Sequence, residues 1–238
     1  MERRDFLKGS LLLPLALPSL NVFADSLKIE IPEGKIIILD PGHGNINSKG
    51  IYDPGAISYD GRHQEADLVL DLAKYTSKIF ERVNLEGYLG CDVVRTRKSN
   101  NVELSLKDRV DLANKSGADV FVSLHYNSSP SQEPRGVNTY YCKGSKEGKI
   151  LAEFVQEEIL RYLKGKVEGF ENTHGAVREG NFYVLKHTKM PAVLVEPGFL
   201  SNQKDLEYIL KDSHFIAGGI ANGIGKYFYD LEARKKDK

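Results

Sequence analysis

Apolar positions along the chain fall into two alternating rhythms. Residues 36–39 form a continuous apolar run bounded by turn residues, the pattern of a strand buried on both faces. The run leads into Asp40-Pro41-Gly42-His43-Gly44, where proline and glycine break the strand and hold a histidine at its carboxyl end. Residues 45–64 are rich in Gly, Asn, Asp, Ser and Pro and read as a long surface loop. The rhythm then turns helical: Val69, Leu72, Ala73, Thr76, Ile79 and Phe80 follow three-and-four spacing, and Glu65 lies on the same stripe. Residues 92–96 form a second short strand. Ser105 and Asp108 have capping-box spacing ahead of Leu106, Val110 and Ala113, and Gly117 ends that helix.

The pattern then repeats. Residues 119–124 are a buried strand that delivers His125, followed by Tyr126 and Asn127. Residues 136–142 read as a further strand, 148–163 as a helix and 165–180 as an exposed glycine-rich loop. Two short strands, 182–185 and 192–195, come next, and the second delivers Glu196. Ser201 is placed to cap a helix over 203–210. A last helix over 215–229 carries glycines at 218, 219, 223 and 225, suited to close approach to the sheet. The ending, residues 230–238, reads as a charged, solvated tail. Alternating strands and helices predict one α/β domain, with a mostly parallel sheet and helices on both faces.

Composition narrows the function classes. The 33 basic and 33 acidic side chains cancel, which removes the long-range pull toward nucleic acid that a basic protein would have. Cys91 and Cys142 are too few for a disulfide scaffold and lack metal-ligand spacing; a pair in an oxidising compartment and two buried thiols are both open. Residues 1–24 stand apart from the fold. Arg3-Arg4 precedes an apolar run broken by Pro14 and Pro18, too short for a comfortable span, with small residues before a cut at Asp25. This segment resembles a twin-arginine export signal, and a periplasmic protein with no membrane span in its mature form is expected.

The strand ends carry the chemistry. His43, His125 and Glu196 follow three buried strands, and Glu65 opens a helix on its core-facing side. A buried, unpartnered carboxylate is costly, so Glu65 either pairs with something or is a first-turn acid dipping into solvent. Strand ends of one parallel sheet share an edge, so the four groups can converge. Two imidazoles and one carboxylate suit a single zinc ion with an open fourth position, leaving a second carboxylate for proton transfer.

Five strings carry a family resemblance: LDPGHG (39–44), QEADLVLDLA (64–73), RVDLAN (109–114), ADVFVSLHYN (118–127) and MPAVLVEPGFLSN (190–202). Together they resemble the zinc-dependent N-acetylmuramoyl-L-alanine amidases of type 3, over residues 35–229. The resemblance implies a mostly parallel sheet of about six strands. It also implies zinc ligands at His43, Glu65 and His125, and Glu196 as the catalytic acid-base. The implied substrate is peptidoglycan, cut at the amide between N-acetylmuramic acid and L-alanine. Asn127 and Arg178 are weaker candidates for contacts with the stem peptide or glycan, and His63 stands two residues from Glu65. His174 occupies a position where relatives carry arginine. Residues 128–136 are short where partner-activated relatives carry an occluding helix, so an open-sited monomer that needs no activator is expected. Another zinc peptidase and a non-catalytic wall-binding protein are the rival readings.

Overall fold

Among the described residues the two rhythms resolve into a six-stranded sheet with five helices. The computed structural model describes residues 31–85 and 89–236. In chain order the elements are β1 (Ile31–Pro41), α1 (Glu65–Leu85), β2 (Leu89–Arg95), α2 (Leu106–Ser116), β3 (Val120–Leu124), β4 (Asn138–Tyr141), α3 (Lys146–Lys166), β5 (Val177–Glu179), α4 (Tyr183–His187), β6 (Ala192–Glu196) and α5 (Gln203–Lys236). The sheet order is β2-β1-β3-β6-β4-β5. Four of the pairings are parallel; β4 runs antiparallel to β6, which makes the sheet mixed.

The central strands are apolar on both faces because both faces are covered. Ile37, Leu39, Val120, Val122, Val193 and Val195 face a core closed by α1, α3 and α5. Their neighbours Ile38, Phe121 and Leu194 face a smaller core closed by α2 and α4. Such doubly covered strands place functional groups at their carboxyl ends. Here β1, β3 and β6, adjacent in the sheet, end at Pro41, Leu124 and Glu196.

The capping box at Ser105 and Asp108 forms, and Gly117 closes α2 in the left-handed conformation. Five expectations are corrected. Residues 182–185 are not a strand, because Tyr183–His187 forms a short helix; an apolar run of this length fits either period. The stretch 165–180 is not all loop, since Val177–Glu179 adds an edge strand beside β4. The cap of α5 is Asn202, not Ser201: its Oδ1 accepts from the amides of Lys204 and Asp205. The helices over 203–210 and 215–229 are continuous apart from non-helical backbone at Asp212. The tail is helical to Lys236, with Arg234 donating to both oxygens of Glu147 at 2.7 and 2.9 Å.

The glycines of α5 also serve differently from the expectation. A Cβ at Gly219 or Gly223 would lie 2.5 Å from the Cα of Ile159 or Val155, so they let α5 close on α3 rather than on the sheet. Cys91 packs in the larger core and Cys142 against the smaller one, on opposite faces, and no disulfide joins them. Among the described residues no helix is long and apolar enough to cross a membrane. The expected export signal at residues 1–24 lies outside the described residues.

Candidate metal centre and active site

The site is built where β1 gives way to its turn. Gly42 donates to Leu124 O at 2.9 Å, extending the β1–β3 ladder by one bond. His43 then takes a left-handed backbone, φ 55°, which is costly for a residue with a side chain. Two buried arginines hold that conformation. Arg109 donates to the carbonyls of Pro41 (2.7 Å) and His43 (2.8 Å), and Arg97 to those of Pro41 (2.9 Å), Gly42 (2.6 Å) and Ala66 (2.8 Å). Arg97 therefore ties the turn carrying His43 to the helix start carrying Glu65. Asp40, at the end of β1, pairs with Arg109 at 2.8 Å and accepts from the hydroxyls of Thr96 and Ser123. Burial pushes its pKa up, but the Arg109 charge and these hydrogen bonds outweigh that and leave the carboxyl below its ordinary range.

Glu65 is only 3% exposed and is fully occupied. Its Oε1 lies 3.0 Å from His125 Nδ1 and accepts from the Tyr126 amide at 3.0 Å. Its Oε2 accepts from the Ala56 amide at 2.9 Å and lies 3.2 Å from His43 Nε2. Burial raises its pKa, yet the two histidines hold the carboxyl well below the usual range. The same contact, with help from Asp53, lifts His43 above its ordinary value against its own burial. The rings of His43 and His125 meet edge to face, centroids 4.8 Å apart.

One ligand atom from each of His43, Glu65 and His125 lies within 4.8 Å of the other two. Backbone without side chains makes room for them. A Cβ at Gly42 would sit 2.1 Å from the His125 ring, and one at Gly55 would sit 2.7 Å from both Glu65 Oε2 and the His43 ring. An N, O, N donor set in such a cradle suits zinc in a catalytic, open-sided site.

Glu196 stands beside this cluster. The His125 amide donates to Val195 O at 2.9 Å, lacing the ends of β3 and β6 together. The Oε2 of Glu196 is buried and has no hydrogen-bond partner among the described residues. Burial and the nearby Glu65 charge push its pKa up to about 7, with the Tyr140 hydroxyl pulling it part of the way back.

Residues 37–226 match the family described as N-acetylmuramoyl-L-alanine amidase. The chain belongs to this amidase family. Among its relatives is the germination-specific N-acetylmuramoyl-L-alanine amidase of Bacillus subtilis, 30% identical over 82% of this chain and 80% of that protein. The amidase LytC of the same organism is 34% identical, but this chain spans only 36% of its length. An N-acetylmuramoyl-L-alanine amidase structure from Clostridium difficile 630 superposes with a TM-score of 0.70 at 33% identity, covering 82% of this chain and 97% of that one. The CwlD amidase of Clostridioides difficile, solved in complex with the GerS lipoprotein, gives 0.70 at 30% identity, covering 82% and 99%.

The other sequence candidates of this amidase fall outside the cluster. The Asn127 backbone exchanges hydrogen bonds with Gly198 and Leu200, and its side chain accepts from Ser128, so it braces the turn after Glu196. Arg178 is exposed on β5. His63 lies 3.9 Å from Asp60 and is not among the clustered ligands.

Several positioning residues escaped the sequence reading. Asp53, in the loop before α1, approaches His43 Nδ1 at 2.9 and 3.0 Å and so directs His43 Nε2 toward Glu65. A conversion of Asp53 to Asn should lower the affinity for a divalent metal such as zinc by about 10–100-fold. Competition with a chromophoric chelator measures this, and unchanged affinity would remove Asp53 from the site. Arg109 did leave a signal: it is a charged residue one turn before Ala113 and next to Val110 on the buried face of α2, from which Leu106, expected there, is excluded by its exposure.

Proposed function

We propose that this amidase hydrolyses the amide between the lactyl group of N-acetylmuramic acid and the L-alanine of the peptidoglycan stem, with zinc held by His43, Glu65 and His125. Family membership supports the reaction class, and the orphaned Oε2 of Glu196 beside a three-ligand cluster carries the assignment of roles. When bound, zinc supplies a polarised amide carbonyl and a water acidic enough to ionise near neutral pH. Glu196 accepts the proton of the attacking water at its buried oxygen. It then gives that proton to the alanine nitrogen as the carbon–nitrogen bond breaks. Asp53 fixes the ring of His43, and the Arg97–Arg109 pair fixes its backbone.

Digestion of purified sacculi tests the reading. Whole stem peptides with free N-terminal alanine should be released, glycan strands should stay intact, and a chelator should stop the release. Products cut within the stem would favour a peptidase instead. Release with no protein but the amidase itself is the second expectation. The connection between β3 and β4, residues 125–137, contains no helix that could lie over Glu65. Activity that appears only after a partner is added would refute the open-site reading. Arg3-Arg4 and the apolar run behind it support export by the twin-arginine route to the periplasm.

A further inference from the structure

The sheet carries a row of side chains outward from Glu196 to its β5 edge. Asn138 stands opposite Glu196 on the antiparallel strand β4, two residues before Tyr140, which stands opposite Arg178 on β5. Register partners, and residues two apart on one strand, share a face. Glu196, Asn138, Tyr140 and Arg178 therefore lie on the same side of the sheet. The Arg178 side chain reaches back along that face. Its Nε donates to Asn138 Oδ1 at 3.3 Å and its Nη2 to His174 O at 3.2 Å. Asn138 is nearly buried and is itself fixed by the Ala176 amide.

Both of those acceptors are neutral. Among the described residues no acidic side chain pairs with Arg178. Some exposed cations of the fold find such a partner, as Lys107 does in Asp111 and Lys226 in Glu158. Arg178 is thus an exposed guanidinium held in place by two neutral oxygens, with its Nη1 edge uncommitted. That is the arrangement that receives a planar carboxylate. One strand spacing from β6 to β4 is about 4.8 Å, and a hydrogen bond beyond Asn138 brings the total to roughly 8 Å. An extended peptide covers that distance in about two residues.

We propose that Arg178 binds a free carboxylate of the stem peptide, one or two residues beyond the alanine, and makes the amidase selective for acidic over amidated stems. This inference rests on the amidase reading of Glu196. The probes are two synthetic substrates, N-acetylmuramoyl-L-alanyl-D-glutamate with its γ-carboxyl capped as an amide and its α-carboxylate free, and the same compound with the α-carboxyl amidated as well. The wild type should favour the acid by about tenfold in kcat/KM, chiefly through KM, as one charge-assisted contact at an exposed site gives. Added salt should shrink that preference. Arg178→Ala should bring the two substrates to the same kcat/KM, and Arg178→Lys should keep part of the difference.

Equal use of both substrates by the wild type would overturn the proposal. So would an Arg178→Ala variant that slows both by one common factor, since that is what a merely structural residue gives. If the wild type cuts neither, the amidase reading fails and this inference goes with it. That outcome is distinct from lost selectivity, because no rate is left to compare.

Discussion

Glu196→Gln should lower kcat by about 100- to 10,000-fold, the span that general acid-base groups supply. Zinc content and binding to sacculi should be unchanged, because Glu196 is not one of the three clustered ligands. The substitution keeps the shape of the side chain and removes only its ability to take and return a proton. The pH profile gives the sharper reading. A general base works when deprotonated, so the wild-type rate should rise with pH along an acid limb set by Glu196. Burial and the Glu65 charge place that carboxyl at about 7 in the metal-free protein, and a nearby divalent cation draws the limb to lower pH. The limb should vanish in the variant. A glutamine protein that keeps full turnover, or the same limb, would end the assignment.

Arg109→Met should cost about 3–5 kcal/mol of stability, the penalty for stranding a buried partner charge. Asp40 would lose its salt bridge while remaining almost wholly out of water. The carbonyl of His43 would lose its donor at the same time, and that of Pro41 one of its two. Metal affinity should therefore fall along with stability, although Arg109 touches no ligand side chain. The pH dependence has a definite sign. Asp40 ionises below the ordinary carboxylate range when folded, so its pair contributes fully above that range and is lost as acid titrates it. Urea unfolding at neutral pH checks the magnitude, and a loss below about 1 kcal/mol would show the pair to be dispensable. Adding Asp40→Asn to the variant should recover part of the loss, because the stranded charge disappears.

The legible part of the site follows from burial. A parallel strand covered on both faces must be apolar along its length, so its polar residues gather at its ends. That alone singled out His43, His125 and Glu196. Glu65 was visible because a carboxylate on an apolar helical stripe requires a partner, and the structure supplies four. Two of those partners are backbone amides, of Ala56 and Tyr126, which share the task with the two imidazoles. Residues 182–185 were misread because four apolar positions fit both the period of a strand and that of a helix.

The sequence by itself determined the order of elements apart from α4 and β5, the doubly covered sheet and the four chemical groups, because hydrophobic periodicity and turn residues act locally. Only the tertiary structure decided that Asp53 lies on His43, that Arg97 and Arg109 clasp one turn, and that Asn138 aligns Arg178 behind Glu196. Those contacts join segments from 10 to 68 residues apart. A hydrogen bond between residues of separate segments leaves no periodic trace, since its partners are chosen by where the packed core sets the strand ends.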